Sequence, residues 1–311
     1  MWIKALIFSI VISALFLGVL GTGAFNPDLP WVFYTCLFLI LTIGLIHGCN
    51  DLYLLKHKAL DGLPNIAIKL IVYIAIISIM VFLLFFTREI GILFFLILSA
   101  YHFGGKLLSG LLMAKGFAAY AIYLLYGINL FTLMFIGSYE QLYFVLEHFH
   151  LSNISFEILR GGTLILLIMT LVILLSYFSF RRLTFPNFIL VVGILLLVLS
   201  ASLLTNLLIS FTLVFVFFHS LPSLVSQIQA IQKDKFSNKL FIYLKQSAGI
   251  YLISIGILGI GYYFRENFQS EDLILFLLAA TTIPHIALMA LQKAVPQKFL
   301  FRNGKVGVME F

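Results

Sequence analysis

Long apolar stretches recur along almost the whole chain, and they constrain its fold more than any other feature. Runs of about 18 to 25 residues with few internal charges match the length of an α-helix that crosses about 30 Å of hydrocarbon. Hydrophobic residues make up 62% of the 311 positions and charged residues only 10%, whereas an ordinary soluble domain is roughly 25% charged. The sequence therefore predicts an all-α, polytopic transmembrane helix bundle that forms a single membrane domain over residues 1–311.

Charges, prolines, glycines and asparagines bound these runs and give about ten candidate spans, with eight or nine also possible. The predicted spans are 3–21, 31–49, 66–86, 90–105, 116–137, 156–178, 186–204, 207–222, 247–264 and 272–291. The seventh and eighth are short and only Thr205 and Asn206 separate them, which leaves the count open. The largest connecting loops are predicted over 138–155 and 223–246.

The basic residues indicate how the helices are oriented. With ten spans and a cytoplasmic N-terminus, the outside segments contain only Arg88, Arg160 and Arg265 of the 19 lysines and arginines. This bias follows the positive-inside rule, so the net charge of +7 reflects membrane orientation and not a nucleic-acid partner. Both termini are predicted to be cytoplasmic and the membrane to be the cell's inner (plasma) membrane. The first segment could also be a signal peptide, whose removal would leave this orientation unchanged.

Four histidines lie inside the predicted spans, where ionisable residues are costly and therefore suggest function. They are His47, His102, His219 and His285, in the second, fourth, eighth and tenth spans. In the predicted topology each lies within roughly two turns of the inner end of its helix, so all four share one depth. Neutral imidazole is a common ligand of iron, copper, nickel and zinc. The four histidines therefore predict one shared metal site, although each alone could also be a histidine that hydrogen-bonds a neighbouring helix.

Neighbouring residues provide candidate partners for these histidines. Asp51 lies four residues after His47, on the same helical face, where it could accept the ring N–H or be an ordinary interfacial residue. Tyr101, directly before His102, is a second candidate partner. The glycines after His102 could loosen the helix or allow close helix packing. Phe103, Phe215 and Phe218 could line an apolar substrate site, although most of the 33 phenylalanines will face lipid or core.

A second histidine cluster, Glu147, His148 and His150, lies in a predicted outside loop. Its alternating spacing could bind a metal, but a solvated loop is the simpler interpretation.

The four histidine motifs resemble, in order and spacing, those of the Brp/Blh family of microbial membrane β-carotene 15,15′-dioxygenases. The motifs are His47-Gly48 with a nearby Asp, Ser99-Ala-Tyr-His102-Phe-Gly104, Phe218-His219-Ser220 and Pro284-His285. The resemblance implies an Fe(2+) enzyme that cleaves the central double bond of β-carotene with O₂ to give two molecules of retinal. It also implies that His47, His102, His219 and His285 are the iron ligands and the catalytic centre, and that the protein has a functional link to a microbial rhodopsin.

The sequence departs from the family pattern at three positions. Ile46 precedes the first motif histidine where the family commonly has proline, and Phe218 stands where tryptophan is frequent. Ser223 occupies a position near the third motif where a further basic residue or histidine is expected. These differences concern the choice of carotenoid more than metal binding.

Other functional classes fit the same helices. A di-iron desaturase or hydroxylase would need HxxxH and HxxHH clusters, and no span contains such a pair. A haem-bearing electron carrier would need axial histidine pairs, and four histidines at one depth would crowd two haems into one layer. A non-catalytic carotenoid or retinal binder or a transporter is the main alternative, although transporters usually have charged or interrupted helices at the midplane.

Overall fold

The computed structural model describes residues 2–21, 28–51, 66–114, 116–148, 154–229, 236–263, 279 and 282–288. Within these residues every regular element is helical, and extended pairing is limited to an isolated bridge between Leu112 and Leu183. The α-helices are α1 (Trp2–Gly21), α2 (Pro30–Leu39), α3 (Ile66–Phe86), α4 (Arg88–Leu108), α5 (Gly116–Ile136), α6 (Tyr139–His148), α7 (Phe156–Ser179), α8 (Phe185–Leu204), α9 (Leu207–Thr212), α10 (Leu221–Gln229) and α11 (Phe236–Tyr263). Two π-helical segments, π1 (Ile40–Gly44) and π2 (Leu213–Ser220), extend α2 and join α9 to α10. The all-helical prediction is confirmed for the described chain.

Eight helices in the described part of the chain are long and apolar enough to cross a membrane. They are Trp2–Val19, Ile68–Phe86, Arg88–Leu108, Gly116–Ile136, Phe156–Ser179, Phe185–Leu204, Leu207–Gln229 and Ser237–Gly259. Each overlaps one of the ten predicted spans, and the largest difference is in the ninth, predicted over 247–264 and observed at Ser237–Gly259. The total of ten and the cytoplasmic termini stay predictions.

The two remaining predicted spans differ from these eight. The second appears as a shorter apolar helix, Pro30–Gly44, which begins at a proline because that residue suits the first helical turn. The chain leaves the helix after Ile46 and forms turns over 47–50, so the prediction that His47 lies inside a regular helix is wrong. Of the tenth predicted span, 272–291, the described residues 279 and 282–288 are helical and the others lie outside the described residues.

Two predicted loops contain helix, which corrects their assignment. α6 lies within predicted loop 138–155, where charged residues in a short amphipathic stretch suggested solvated coil. In predicted loop 223–246, α10 continues to Gln229 and α11 begins at Phe236. The prediction ended the eighth span at Pro222, but this proline directly follows the last π-helical hydrogen bond, from Leu221 N–H to the Val216 carbonyl. Pro222 has no N–H group, and it lies where the hydrogen bonding changes from the π-helical to the α-helical pattern. The helix therefore continues past it.

The described chain divides into two compact units. Unit 1 comprises residues 1–44 and 96–226, and unit 2 comprises residues 45–95 and 227–311. The single domain over 1–311 stays a prediction.

Unit 1 is built around α5, which packs against α7 and α8. Close approach of α4 and α5 depends on two glycines, because a Cβ on Gly104 would collide with the Tyr123 carbonyl and one on Gly127 with the Ala100 carbonyl. The glycine after His102 therefore serves close helix packing, one of the two interpretations of the sequence.

Two buried polar side chains of α5 in unit 1 hydrogen-bond to neighbouring helices, which suits an apolar interior. Asn129 donates to Thr170 Oγ1 at 2.6 Å, and the Tyr126 hydroxyl donates to the Val191 carbonyl at 2.9 Å. These bonds connect α5 to α7 and to α8.

Candidate metal centre

His102 and His219 form a close pair within unit 1. His102 lies on α4, and His219 is the seventh residue of π2. Their ring centroids are 4.8 Å apart and the ring planes are inclined at 66°. His219 is 1% exposed and His102 is half-buried. Two of the predicted ligands, 117 residues apart in the sequence, thus lie side by side.

Aromatic rings surround this first pair. The Phe103 ring stacks on the His219 imidazole with a centroid distance of 4.1 Å, and Phe215 stacks on Phe103 at 6.1 Å. A Cβ on Gly44 would lie 2.5 Å from the Phe215 ring, so π1 and π2 approach closely at this point. Phe103 and Phe215, predicted to line a substrate site, are buried against the imidazole, and Phe218 is buried beside it in sequence.

The π-helical hydrogen bonding of π2 determines how these side chains are presented. A π-helix bonds residue i to residue i+5 and is rare outside short bulges, which are frequent at functional sites. π2 spans eight residues and contains His219, Phe215 and Phe218, all three of them buried. The wider turn changes the angular spacing between side chains, so helical periodicity alone does not predict which of them share a face.

His47 and His285 form the second pair, within unit 2. Their ring centroids are 5.5 Å apart with an interplanar angle of 74°. His47 follows the end of π1 in a turn, and His285 lies in the helical segment 282–288 after Pro284. Both side chains are buried. The structure thus places the four predicted ligands in two pairs, one within each unit.

Asp51 is fully buried and contacts His285. Its Oδ1 lies 2.7 Å from His285 Nδ1, and the Tyr73 hydroxyl donates to its Oδ2 at 3.0 Å. The sequence prediction placed Asp51 as a partner of His47 on the same helical face, but residues 47–50 form turns, and the described imidazole contact of this carboxylate is with His285. Since a carboxylate oxygen accepts hydrogen bonds, Nδ1 of His285 is the donor in this contact, and Nε2 is the ring nitrogen that does not carry this proton.

Other predicted site residues lie elsewhere. The Tyr101 ring contacts the Tyr120 ring at a centroid distance of 6.1 Å, on a different face of α4 from His102 because consecutive helical residues are about 100° apart. Glu147 is exposed in the last turn of α6. His150 lies outside the described residues, so metal binding by this cluster stays a prediction.

Among the described residues, no group of three or more His, Cys, Asp or Glu side chains has the arrangement of a metal site. The shared four-histidine site therefore stays a prediction.

Sequence reasoning missed three polar residues of unit 2. Tyr73 hydrogen-bonds Asp51, while Tyr243 and Gln227 contact the backbone carbonyl of His47. The feature that could have identified them is a hydroxyl or amide group in an apolar segment, since such groups need hydrogen-bond partners in a membrane. The identity of each partner could not be predicted, because the pairs are between 16 and 197 residues apart in sequence.

Comparison with known proteins gives one match. The model of a protein family described as Beta-carotene 15,15'-dioxygenase matches residues 38–293, a range that contains both histidine pairs. No curated protein and no solved structure matches the chain.

Proposed function

The chain belongs to the beta-carotene 15,15'-dioxygenase family, and from that premise we propose that it is an iron-dependent enzyme that produces retinal. The substrate is β-carotene or a related carotenoid, whose central double bond is cleaved with O₂. The observation that carries the proposal is the presence, within the matched range, of two close pairs of histidines, in which His47, His219 and His285 are buried.

We propose His47, His102, His219 and His285 as the iron ligands. Their chemistry fits the metal, because neutral imidazoles bind ferrous iron and can be buried without an unpaired charge. The contact between Asp51 Oδ1 and His285 Nδ1, at 2.7 Å, supports this role, since metal-binding histidines commonly donate their other ring N–H to a carboxylate. Bound ferrous iron would supply the O₂ chemistry that protein side chains lack.

The side chains have separate tasks in this proposal. Asp51 holds the His285 proton on Nδ1, and Tyr73 fixes the second carboxylate oxygen. Phe103 and Phe215 keep water from the imidazole of His219 and offer flat apolar surfaces that suit a conjugated polyene. The overall reaction breaks one carbon–carbon double bond, consumes one O₂ and yields two aldehydes, so it needs no external reductant.

The membrane location suits this substrate. A carotenoid is soluble in lipid, and the chain has eight described helices of membrane-spanning length and composition. We place the protein in the inner (plasma) membrane with both termini cytoplasmic, from its charge distribution. Retinal as product suggests a functional link to a microbial rhodopsin.

The test is retinal formation in a carotene-producing host. Wild type should accumulate retinal, whereas His219→Ala and His285→Ala, one from each pair, should each abolish it, because each removes a metal-binding nitrogen. His148→Ala, a histidine outside both pairs, should leave the yield unchanged. Wild-type yield from either paired variant would refute the shared site.

A second assay separates the enzyme from a carotenoid-binding protein. Purified wild type incubated with β-carotene, Fe(II) and O₂ should release retinal, and metal analysis should find iron. A protein that retains carotenoid without producing retinal would be a binder, and the proposed activity would be wrong.

A further inference from the structure

The segment that carries His47 ends a helix, and helix ends leave carbonyl groups without intrahelical partners. After Ile46 the chain turns back, so that Gly48 N–H donates to the Leu45 carbonyl and Cys49 N–H to the Ile46 carbonyl, each at 3.1 Å. These two turn bonds do not include the carbonyl of His47. A carbonyl in an apolar interior is stabilised by a hydrogen-bond donor, and two side chains contact the carbonyl of His47.

Side chains from two other helices meet at this point. Gln227, in the last turns of α10, donates from Nε2 to the His47 carbonyl at 3.1 Å. The Tyr243 hydroxyl, on α11, lies 3.2 Å from the carbonyl oxygens of both Ile46 and His47 and 2.8 Å from Gln227 Oε1. Tyr243 is fully buried. All four residues belong to unit 2.

The number of protons that Tyr243 and Gln227 can donate determines how these contacts are arranged. A tyrosine hydroxyl has one proton, and its shortest contact is with Gln227 Oε1. Because Gln227 Oε1 accepts from the Tyr243 hydroxyl, Gln227 Nε2 faces the His47 carbonyl. If the Gln227 amide were reversed, its oxygen would lie 3.1 Å from the His47 carbonyl oxygen. Tyr243 thus orients Gln227, and Gln227 satisfies the carbonyl of the histidine.

We propose that Tyr243 and Gln227 are positioning residues for His47, and that together they fix the backbone of this proposed metal ligand from two other helices. This inference rests on the proposed function, because His47 is a ligand only there. His47 lies in a turn formed by residues 47–50. Residues that orient ligands typically change metal affinity about 10 to 100-fold when removed. Since this pair acts through the backbone, we expect the lower end of that range.

The experiment compares Tyr243→Phe with a matched control, Tyr126→Phe. Each change removes one buried hydroxyl near a backbone carbonyl, but Tyr126 bonds Val191 in unit 1. Hydrogen exchange of the peptide that contains Gly48 and Cys49 should be about fivefold faster in Tyr243→Phe, as expected for the loss of a bond of about 1 kcal/mol. Fe(II) binding to the same protein should be about tenfold weaker. Tyr126→Phe should change neither.

Gln227→Leu provides a second route if Tyr243→Phe fails to fold. It should reproduce both effects, and the double variant should be little worse than either single one, because the hydroxyl acts through the amide.

Each outcome decides a separate question. Unchanged exchange in Tyr243→Phe, or equal acceleration in Tyr126→Phe, would overturn the inference. Faster exchange with unchanged Fe(II) affinity would also overturn it, since the turn would be held without the ligand being positioned. Wild type that binds no iron would end the proposed function instead, while the exchange data would still decide whether the two side chains hold the turn.

Discussion

The histidine pairs of the two units are held by different interactions. In unit 1 the described contacts of His219 include ring stacking with Phe103 and Phe215 and edge contact with His102. In unit 2 His285 contacts a carboxylate that a tyrosine also binds. Apolar packing is weakly directional, whereas hydrogen bonds fix a tautomer and an orientation. The described contacts of His219 are therefore aromatic packing, whereas those of His285 include a hydrogen bond to Asp51, which also accepts one from Tyr73.

Among variants that keep all four histidines, the largest effect on Fe(II) binding is expected from Asp51→Asn in unit 2. The amide lacks the charge that favours the His285 proton on Nδ1, so Fe(II) binding should weaken about 10 to 100-fold, with a matching loss of retinal. Isothermal titration with Fe(II) under anaerobic conditions measures the binding. Asp28→Asn, at an exposed carboxylate in unit 1, is the control and should bind as wild type. Full affinity in Asp51→Asn would show that the polar network is only structural.

A smaller effect is expected from Gly127→Ala in unit 1. The added methyl group meets the Ala100 backbone, two residues before His102, so α4 and α5 must separate at a cost of about 1–3 kcal/mol in the free energy of unfolding. Thermal unfolding in detergent micelles measures it. Gly193→Ala is the matched control, since nothing lies within 4 Å of its added atom, and it should be neutral or slightly stabilising. Equal stability of the two variants would contradict close packing as the support of His102.

The smallest effect is expected from Phe103→Leu. The change keeps an apolar side chain but removes the ring stacked at 4.1 Å on His219, which is worth about 0.5–1.5 kcal/mol. If the ring holds the imidazole, Fe(II) affinity falls about 2 to 12-fold. If it lines the carotenoid site instead, KM rises while Fe(II) affinity is unchanged. Phe188→Leu, which removes a ring paired with Phe178 at 5.3 Å, should change neither quantity.

The sequence predicted the helical class and most spans well, and the family resemblance is confirmed by the match over 38–293. The sequence-based prediction was wrong at positions where one pattern is compatible with two local structures. The charges in α6 suggested a loop, but they belong to a short amphipathic helix. Pro222 suggested a helix end, but it directly follows π2. No sequence pattern marked either π-helical segment.

Asp51 shows most clearly what local spacing could not predict. Its distance of four residues from His47 predicted a contact along one helix face, but the chain turns there. The carboxylate instead contacts Nδ1 of His285, which is 234 residues away in the sequence.

The sequence by itself determined that this chain is a helical membrane protein and that four histidines lie in its apolar segments, because apolar length and intramembrane polarity are properties of each segment alone. Only the tertiary structure decided that the histidines pair as His102 with His219 and His47 with His285, and that Asp51, Tyr243 and Gln227 support one pair. The physical reason is that spans apolar on nearly every side carry little periodicity to mark a buried face. Their rotation and depth are set by contacts with other helices, and those contacts join residues far apart in the chain.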